Sequence, residues 1–337
     1  MIELRENRLN FTFPEVHEDA GLSIDFQRTL RIPDNDRTYP LPPGLGRFPV
    51  RHVDDFPTRV PPRWLEHGGV MLPMYQSEAL WLLFRGGYPC AVRVATGKID
   101  AVTGATLHPG LGRDPQNYLV TPEQPWLDGY CVERGVIRQF VAMPLGAGYT
   151  AEEQITGSAE HGGLQLIVYP MKAEVYERIR RRFEELIPGA PMSPAVLSRV
   201  GGTRTTGEVG LAPGGRMLQK IYDDPHALTD WDQEHSSRCF VHIANSLVWR
   251  QITGEQPPTV PPTAREYAKA GLPWFDYYAE GLSAVPGSQI LEKLKSVVQM
   301  GNAKGDVPLP ENEPVTATPV IELRRGLKRD QVREGRF

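Results

Sequence analysis

Three cysteines among 337 residues (Cys90, Cys131 and Cys239) are odd in number, far apart and without a C-x-x-C pair. That scarcity excludes a disulfide framework and a zinc ribbon, and a reducing cytosol is the setting it suits. Charge of one sign is equally scarce. Lys and Arg number 37 against 41 Asp and Glu, a net charge of −4, too near neutral to announce a nucleic-acid surface. Long hydrophobic runs are missing too: stretches such as Ala79–Phe84 fall far short of the roughly 20 residues a membrane-spanning helix needs. Glu3, Arg5, Glu6 and Arg8 stand where a signal peptide would carry its apolar core. The sequence also has no G-x-S-x-G elbow, no G-x-x-x-x-G-K-[S/T] loop, no H-E-x-x-H and no kinase motif set. A soluble, cytoplasmic protein with no membrane span and no nucleic-acid partner is therefore expected.

Glycine and proline are abundant. The 33 Gly and 32 Pro make about 19% of the chain, against a usual level of about 12%. Apolar residues at 40% and charged residues at 23% are those of a globular chain long enough to bury a core. The prolines cluster: nine lie between Pro33 and Pro73 and ten between Pro257 and Pro319. Each removes a backbone donor and forbids a helix interior or a central strand. Residues 1–62 thus read as an extended Pro-rich arm with edge strands, one of them the alternating Leu22-Ser-Ile-Asp-Phe26. Residues 257–337 read as a helical segment followed by an extended tail. Residues 324–337 hold six basic and two acidic side chains, so this tail is +4 on a body of −8.

Between the arms, residues 63–256 read as a β-rich core. Ala79–Phe84, Cys90–Ala95, Tyr130–Glu133, Val136–Met143 and Leu164–Tyr169 are rich in β-branched and aromatic residues, and Arg134-Gly135 makes a hairpin turn. A helix is expected over 172–187, with Val175, Ile179, Phe183 and Leu186 on one stripe. Its run Arg178, Arg180, Arg181 and Arg182 is offset by Glu174 and Glu177 four residues before Arg178 and Arg181. A second helix is expected over 236–252, with Phe240, Ile243, Ala244, Leu247 and Val248 inward. Thr263-Ala-Arg-Glu266 spells a capping box, and a last amphipathic helix is expected over 288–299. The fold class is α+β: a β-rich core flanked by several helices, with extended Pro-rich N- and C-terminal arms. Arms that cannot bury themselves are commonly stabilised by lying on a neighbour, so a homo-oligomer is expected.

Met71-LPMYQSEALWLLF, Asp114-PQNYLVTPEQPWLDGYCVERGVIRQFVAMPLGAGYTAEEQITG, Glu160-HGGLQLIVYP, Gly210-LAPGGRM and His235-SSRCFVHIANSLVWRQITGE, with Thr263-AREYAKAGLPWFDYY, cover about 70–280. Over these segments the chain resembles a family of uncharacterised bacterial proteins, some members of which carry the label "integral membrane protein". The resemblance implies a shared fold and brings no activity with it.

Four constellations are candidates for chemistry. Asp100-Ala-Val-Thr103-Gly104-Ala105-Thr106 resembles the D-x-x-[S/T]-G-A-T acceptor motif of proteins carrying covalent FMN. That resemblance implies Thr106 as the hydroxyl esterified by the flavin phosphate and Asp100 as the supporting acid. The alternative is a strand, 92–102, that ends in a Thr-Gly turn. Glu160-His161 beside Gly162-Gly163, with Arg216 after another Gly-rich stretch, offers an acid–His pair and an anion-binding guanidinium. His235, Cys239 and His242 would share one face of the expected second helix and suit a transition metal, although a Cys in an apolar helix is usually core. Gly146-Ala-Gly148-Tyr-Thr-Ala151 is a degenerate G-x-G-x-x-A too close to Gly157 for a dinucleotide crossover helix. No catalytic set is complete, so a binding or assembly protein without a cofactor is expected. A covalent-FMN redox protein is the alternative.

Overall fold

The structure is a computed structural model and describes residues 1–186, 209–278, 282–306 and 310–324. About 38% of the chain is strand and 19% helix, an α+β protein with a β-rich core. The larger sheet has ten strands. Its main path runs Ile2–Arg5, Arg8–Thr12, Gly21–Thr29, Ala79–Arg85, Val136–Pro144, Val209–Leu218 and Thr38–Tyr39. The second sheet has seven strands, with main path Ile99–Asp100, Cys90–Thr96, Leu164–Pro170, Ser237–Asn245, Val70–Met74 and Arg51–His52. Among the described residues of these two sheets, pairing is antiparallel except where Thr38–Tyr39 meets Val209–Leu218 and where Val70–Met74 meets Ser237–Asn245; Trp274–Tyr278 and Val320–Arg324 form a separate parallel pair.

One apolar cluster joins the two sheets. Ile24, Phe26, Leu82 and Phe140 of the larger sheet share it with Val92, Leu166, Val241 and Ile243 of the smaller. The strands that feed it are rich in Val, Ile, Leu and Phe, which suit a pleated buried face. All three cysteines are free and buried. Burial pushes the Cys131 and Cys239 thiols up to about 12, which keeps them unreactive.

Several sequence expectations reappear as geometry. Arg134-Gly135 turns the hairpin between Gly129–Glu133 and Val136–Pro144, with Gly135 at φ +78°. The first long helix is Ala173–Leu186, and Glu177 lies 3.2 Å from Arg180 and 3.9 Å from Arg181. Thr263 caps Ala264–Lys269: its hydroxyl accepts from Glu266 N, and Glu266 accepts from Thr263 N. The helix expected over 288–299 divides into Gln289–Glu292 and Val297–Lys304, because Ser296 caps the second piece afresh.

The helix expected over 236–252 is corrected. Ser237–Asn245 is a strand, and the helix is only Ser246–Thr253, capped by the Asn245 side chain accepting from Leu247 N at 3.0 Å. Cys239, Val241 and Ile243 alternate into the core, the period of a strand, and parallel pairing with Val70–Met74 satisfies the backbone.

Both arms lie on their own chain. Residues 2–29 supply three strands of the larger sheet, and Gly21–Thr29 pairs along its length with Ala79–Arg85. On the C-terminal side, Arg28 donates to the Thr259 carbonyl at 2.6 Å and Tyr75 to the Pro258 carbonyl at 2.8 Å. Leu41 and Phe275 exchange backbone hydrogen bonds, and Arg31 and Asn35 reach Asn312. The described parts of both arms are thus covered by their own chain without a neighbouring copy. Most of the basic tail, residues 325–337, lies outside the described residues.

Candidate functional site

The outer face of the seven-stranded sheet carries the densest group of imidazoles. Because side chains alternate along a strand, Arg238, Phe240 and His242 point away from the core that Cys239, Val241 and Ile243 enter. The short helix Pro62–His67 lays two further rings over them. His67 stacks on Phe240 with centroids 4.4 Å apart and planes 6° apart, and Trp64 stacks on His242 at 4.8 Å and 18°. Gly68 and Gly69 make this overlay possible. Gly68 ends the helix at φ +62°, ψ −153°, and Gly69 at φ +86° passes so close to Phe240 that a Cβ would lie 2.2 Å from its carbonyl oxygen. His242 Nε2 is 3.0 Å from the Gly68 carbonyl and is therefore the protonated nitrogen of the neutral ring. Burial, reinforced by the charges of His67, Arg63 and His161 and opposed by the Gly68 bond, lowers His242 to about 4. His67 is also lowered, chiefly by burial and then by His161.

His161 completes the group, 5.2 Å from His67 with planes 10° apart. It is held by Glu152, whose side chain is 1% exposed. Glu152 Oε2 accepts the backbone N–H of His161 at 3.1 Å and of Gly162 at 2.9 Å, while Oε1 lies 3.1 Å from His161 Nδ1. Three bonds to one buried carboxylate fix both the loop and the ring. With Nδ1–H donated to Glu152, Nε2 of neutral His161 is left as an acceptor, and no described residue bonds to it. Thr150, in a capping box with Glu153, starts the helix that sets Glu152 in its first turn. At the edge of the group the Arg238 guanidinium lies over the Phe240 ring at 4.8 Å and donates to Gln165.

Of the expected Glu160–His161 pair, the structure places Glu160 at the outer edge and Glu152 nearer the imidazole. Glu160 is exposed and bonded to Lys98 and Ser158, which hold its carboxyl below the usual range, and its oxygen is 4.0 Å from His161 Nδ1. Lys98 draws it outward and leaves the imidazole to Glu152. Arg216 is not part of the group either. Gly210, on the same strand, is in contact with Gly162, so Arg216 six residues on is about 20 Å farther along. There it pairs with Glu133 and stands opposite Arg138.

The Asp100–Thr106 segment is a tight turn. Asp100 is fully buried. Its Oδ1 accepts from Val102 N at 3.0 Å, Thr103 N at 2.9 Å and the Thr103 hydroxyl at 3.1 Å, and its Oδ2 accepts from Arg93 at 2.8 Å. Both oxygens are thus occupied within the turn. Thr106 is exposed, and no described bond joins it to Asp100. Gly104, at φ +73°, packs against Ile290 and Leu291, where an added Cβ would meet both at 3.0 Å. Arg93 also donates to the His108 and Gly110 carbonyls, so the motif's acid anchors the loop that follows.

The expected face of His235, Cys239 and His242 is dissolved by the strand. Three residues apart, Cys239 and His242 point to opposite faces, and His235 pairs with Asp232 at 2.8 Å. Among the described residues, no group of three or more His, Cys, Asp and Glu side chains is arranged to hold a metal ion.

Sequence reasoning missed Glu152, His67 and Phe240. The signals were there: the capping spacing of Thr150 and Glu153, and the Gly68-Gly69 pair after His67. Comparison with protein families, with curated proteins and with solved structures finds no match. Among the described residues, no helix is long and apolar enough to cross a membrane.

Proposed function

We propose that this chain is a ligand-binding protein whose site is the group of His67, His161 and Phe240, with His161 as the proton acceptor toward the bound molecule. One observation carries the reading: the buried Glu152 carboxylate grips His161 Nδ1 at 3.1 Å and leaves Nε2 unclaimed by any described residue. A carboxylate that orients an imidazole and fixes its tautomer is the arrangement general-base chemistry uses. The free lone pair of Nε2 suits a molecule that offers it an N–H or O–H.

Diethyl pyrocarbonate, which acylates accessible neutral imidazole nitrogens, tests this with peptide mass spectrometry. His161 is expected to react before His242, and Glu152→Gln to slow its reaction by about tenfold, because an amide no longer fixes the proton on Nδ1 and frees the ring's tautomer. Fragments found by ligand-observed NMR on the full chain should protect His161. A fragment screen without a single His161-protecting compound, or a reaction rate indifferent to Glu152→Gln, would remove the proposal.

A further inference from the structure

On the outer face of the ten-stranded sheet, in a different sheet from the strands that carry the imidazole group, three guanidiniums converge on one carboxylate. The Asp25 side chain has no exposure. Its Oδ1 accepts from Arg8 Nε at 3.0 Å, its Oδ2 accepts from Arg85 Nε at 2.7 Å, and Arg47 Nη1 lies 3.6 Å from Oδ1. Strand register gathers them: Arg8 is opposite Asp25 and Arg47 opposite Gln27 on one edge of Gly21–Thr29, with Arg85 opposite Ser23 on the other. Their side chains stay 30%, 33% and 28% exposed in that order. Three positive charges meet one buried negative charge. A further acid, Glu6, is 4.0 Å from Arg8 and 80% exposed, so it is well solvated and neutralises little.

Asp25 takes the Nε–H of Arg8 and of Arg85, which holds both guanidinium planes and leaves terminal N–H groups for another acceptor. Independently, Gln27 stands two residues along the same face, 1% exposed. Its Oε1 is fully enclosed, and its amide bonds to no described residue. A buried amide without a partner is unusual in a folded protein. Directly opposite Gln27 is Trp81, half-buried and edge-on to Trp126 with centroids 6.3 Å apart. Opposed side chains on antiparallel strands start about 5 Å apart, so the unpaired amide lies between Arg47 and the half-buried indole.

We infer that this face binds a small organic oxyanion carried on a flat ring. The phosphate or carboxylate sits on the guanidiniums of Arg8, Arg47 and Arg85, the ring lies on Trp81, and an acceptor group of the ligand meets the Gln27 amide nitrogen.

Isothermal titration of the full chain with phenyl phosphate, benzoate and inorganic phosphate tests the site and separates the two oxyanions. A ring-bearing probe is expected to bind with Kd below about 1 mM and at least tenfold more tightly than inorganic phosphate. Arg47→Gln, which gives up neither Nε bond to Asp25, should weaken it at least tenfold at an unchanged melting temperature. Should that variant melt early, Trp81→Leu serves in its place, with the same loss expected. Failure of both ring-bearing probes to bind at about 10 mM, inorganic phosphate binding as tightly as they do, or binding untouched by both substitutions would each overturn the inference.

Discussion

At His242, burial and like charge act in the same direction. The ring is 3% exposed and stacked on Trp64, and its folded pKa of about 4 lies below the ordinary 6.5. The unfolded chain therefore takes up a proton first as pH falls. Stability is intact above about 6.5, declines between 6.5 and 4, and loses nothing further from this group below 4. At 1.36 kcal/mol per pH unit the loss is about 3 kcal/mol. His242→Phe keeps the stacking and removes the titration. Urea unfolding at stepped pH should show wild type falling by about 3 kcal/mol more than this variant from pH 6.5 to 4. Parallel pH profiles would contradict the assignment. Side-chain roles of this kind were only partly readable: His161 was visible as a candidate, but its true carboxylate partner is eight residues upstream of Glu160 and buried beneath a loop.

At the level of elements, the site depends on how tightly one helix end passes one strand. Gly69 at φ +86° leaves no room beside the Phe240 carbonyl. Gly69→Ala adds a strained backbone to a clash with main chain, which cannot rotate away, and should cost about 3 kcal/mol or more in a denaturant melt. A loss under about 1 kcal/mol would mean that the helix shifts freely. Local signals of this sort were legible where chemistry is local, as with the Thr263–Glu266 box and the Gly135 turn. The 236–252 segment was misread because Phe240, Ile243, Ala244 and Leu247 also fit a helical spacing. The core-facing alternation of Cys239, Val241 and Ile243 acquired meaning only beside Val70–Met74.

On the scale of the whole molecule, the proline-rich ends are parts of the body. Trp274 and Leu291 are fully buried in the main cluster, and the carbonyls of Pro258 and Thr259 complete the bonding of Tyr75 and Arg28. Arg28 and Glu78 form a buried pair at 4% and 1% exposure, and a cut would leave it short of an acceptor. Losing a Trp and a Leu from a core costs several kcal/mol each against a total of 5–15. A chain ending at residue 256 should therefore fail to melt cooperatively by circular dichroism. A soluble product with a sharp transition would show instead that the C-terminal segment is dispensable.

The sequence alone determined the class of the protein, since alternation, turn glycines and capping residues act over a few neighbours and appear in the order of the letters. It also placed the proline excess in two flanking stretches. The tertiary structure decided where those stretches lie and which acid serves His161. It decided, too, that Arg8, Arg47 and Arg85 surround Asp25. Those are contacts between residues up to hundreds of positions apart, set by sheet register and burial, and no local pattern encodes them.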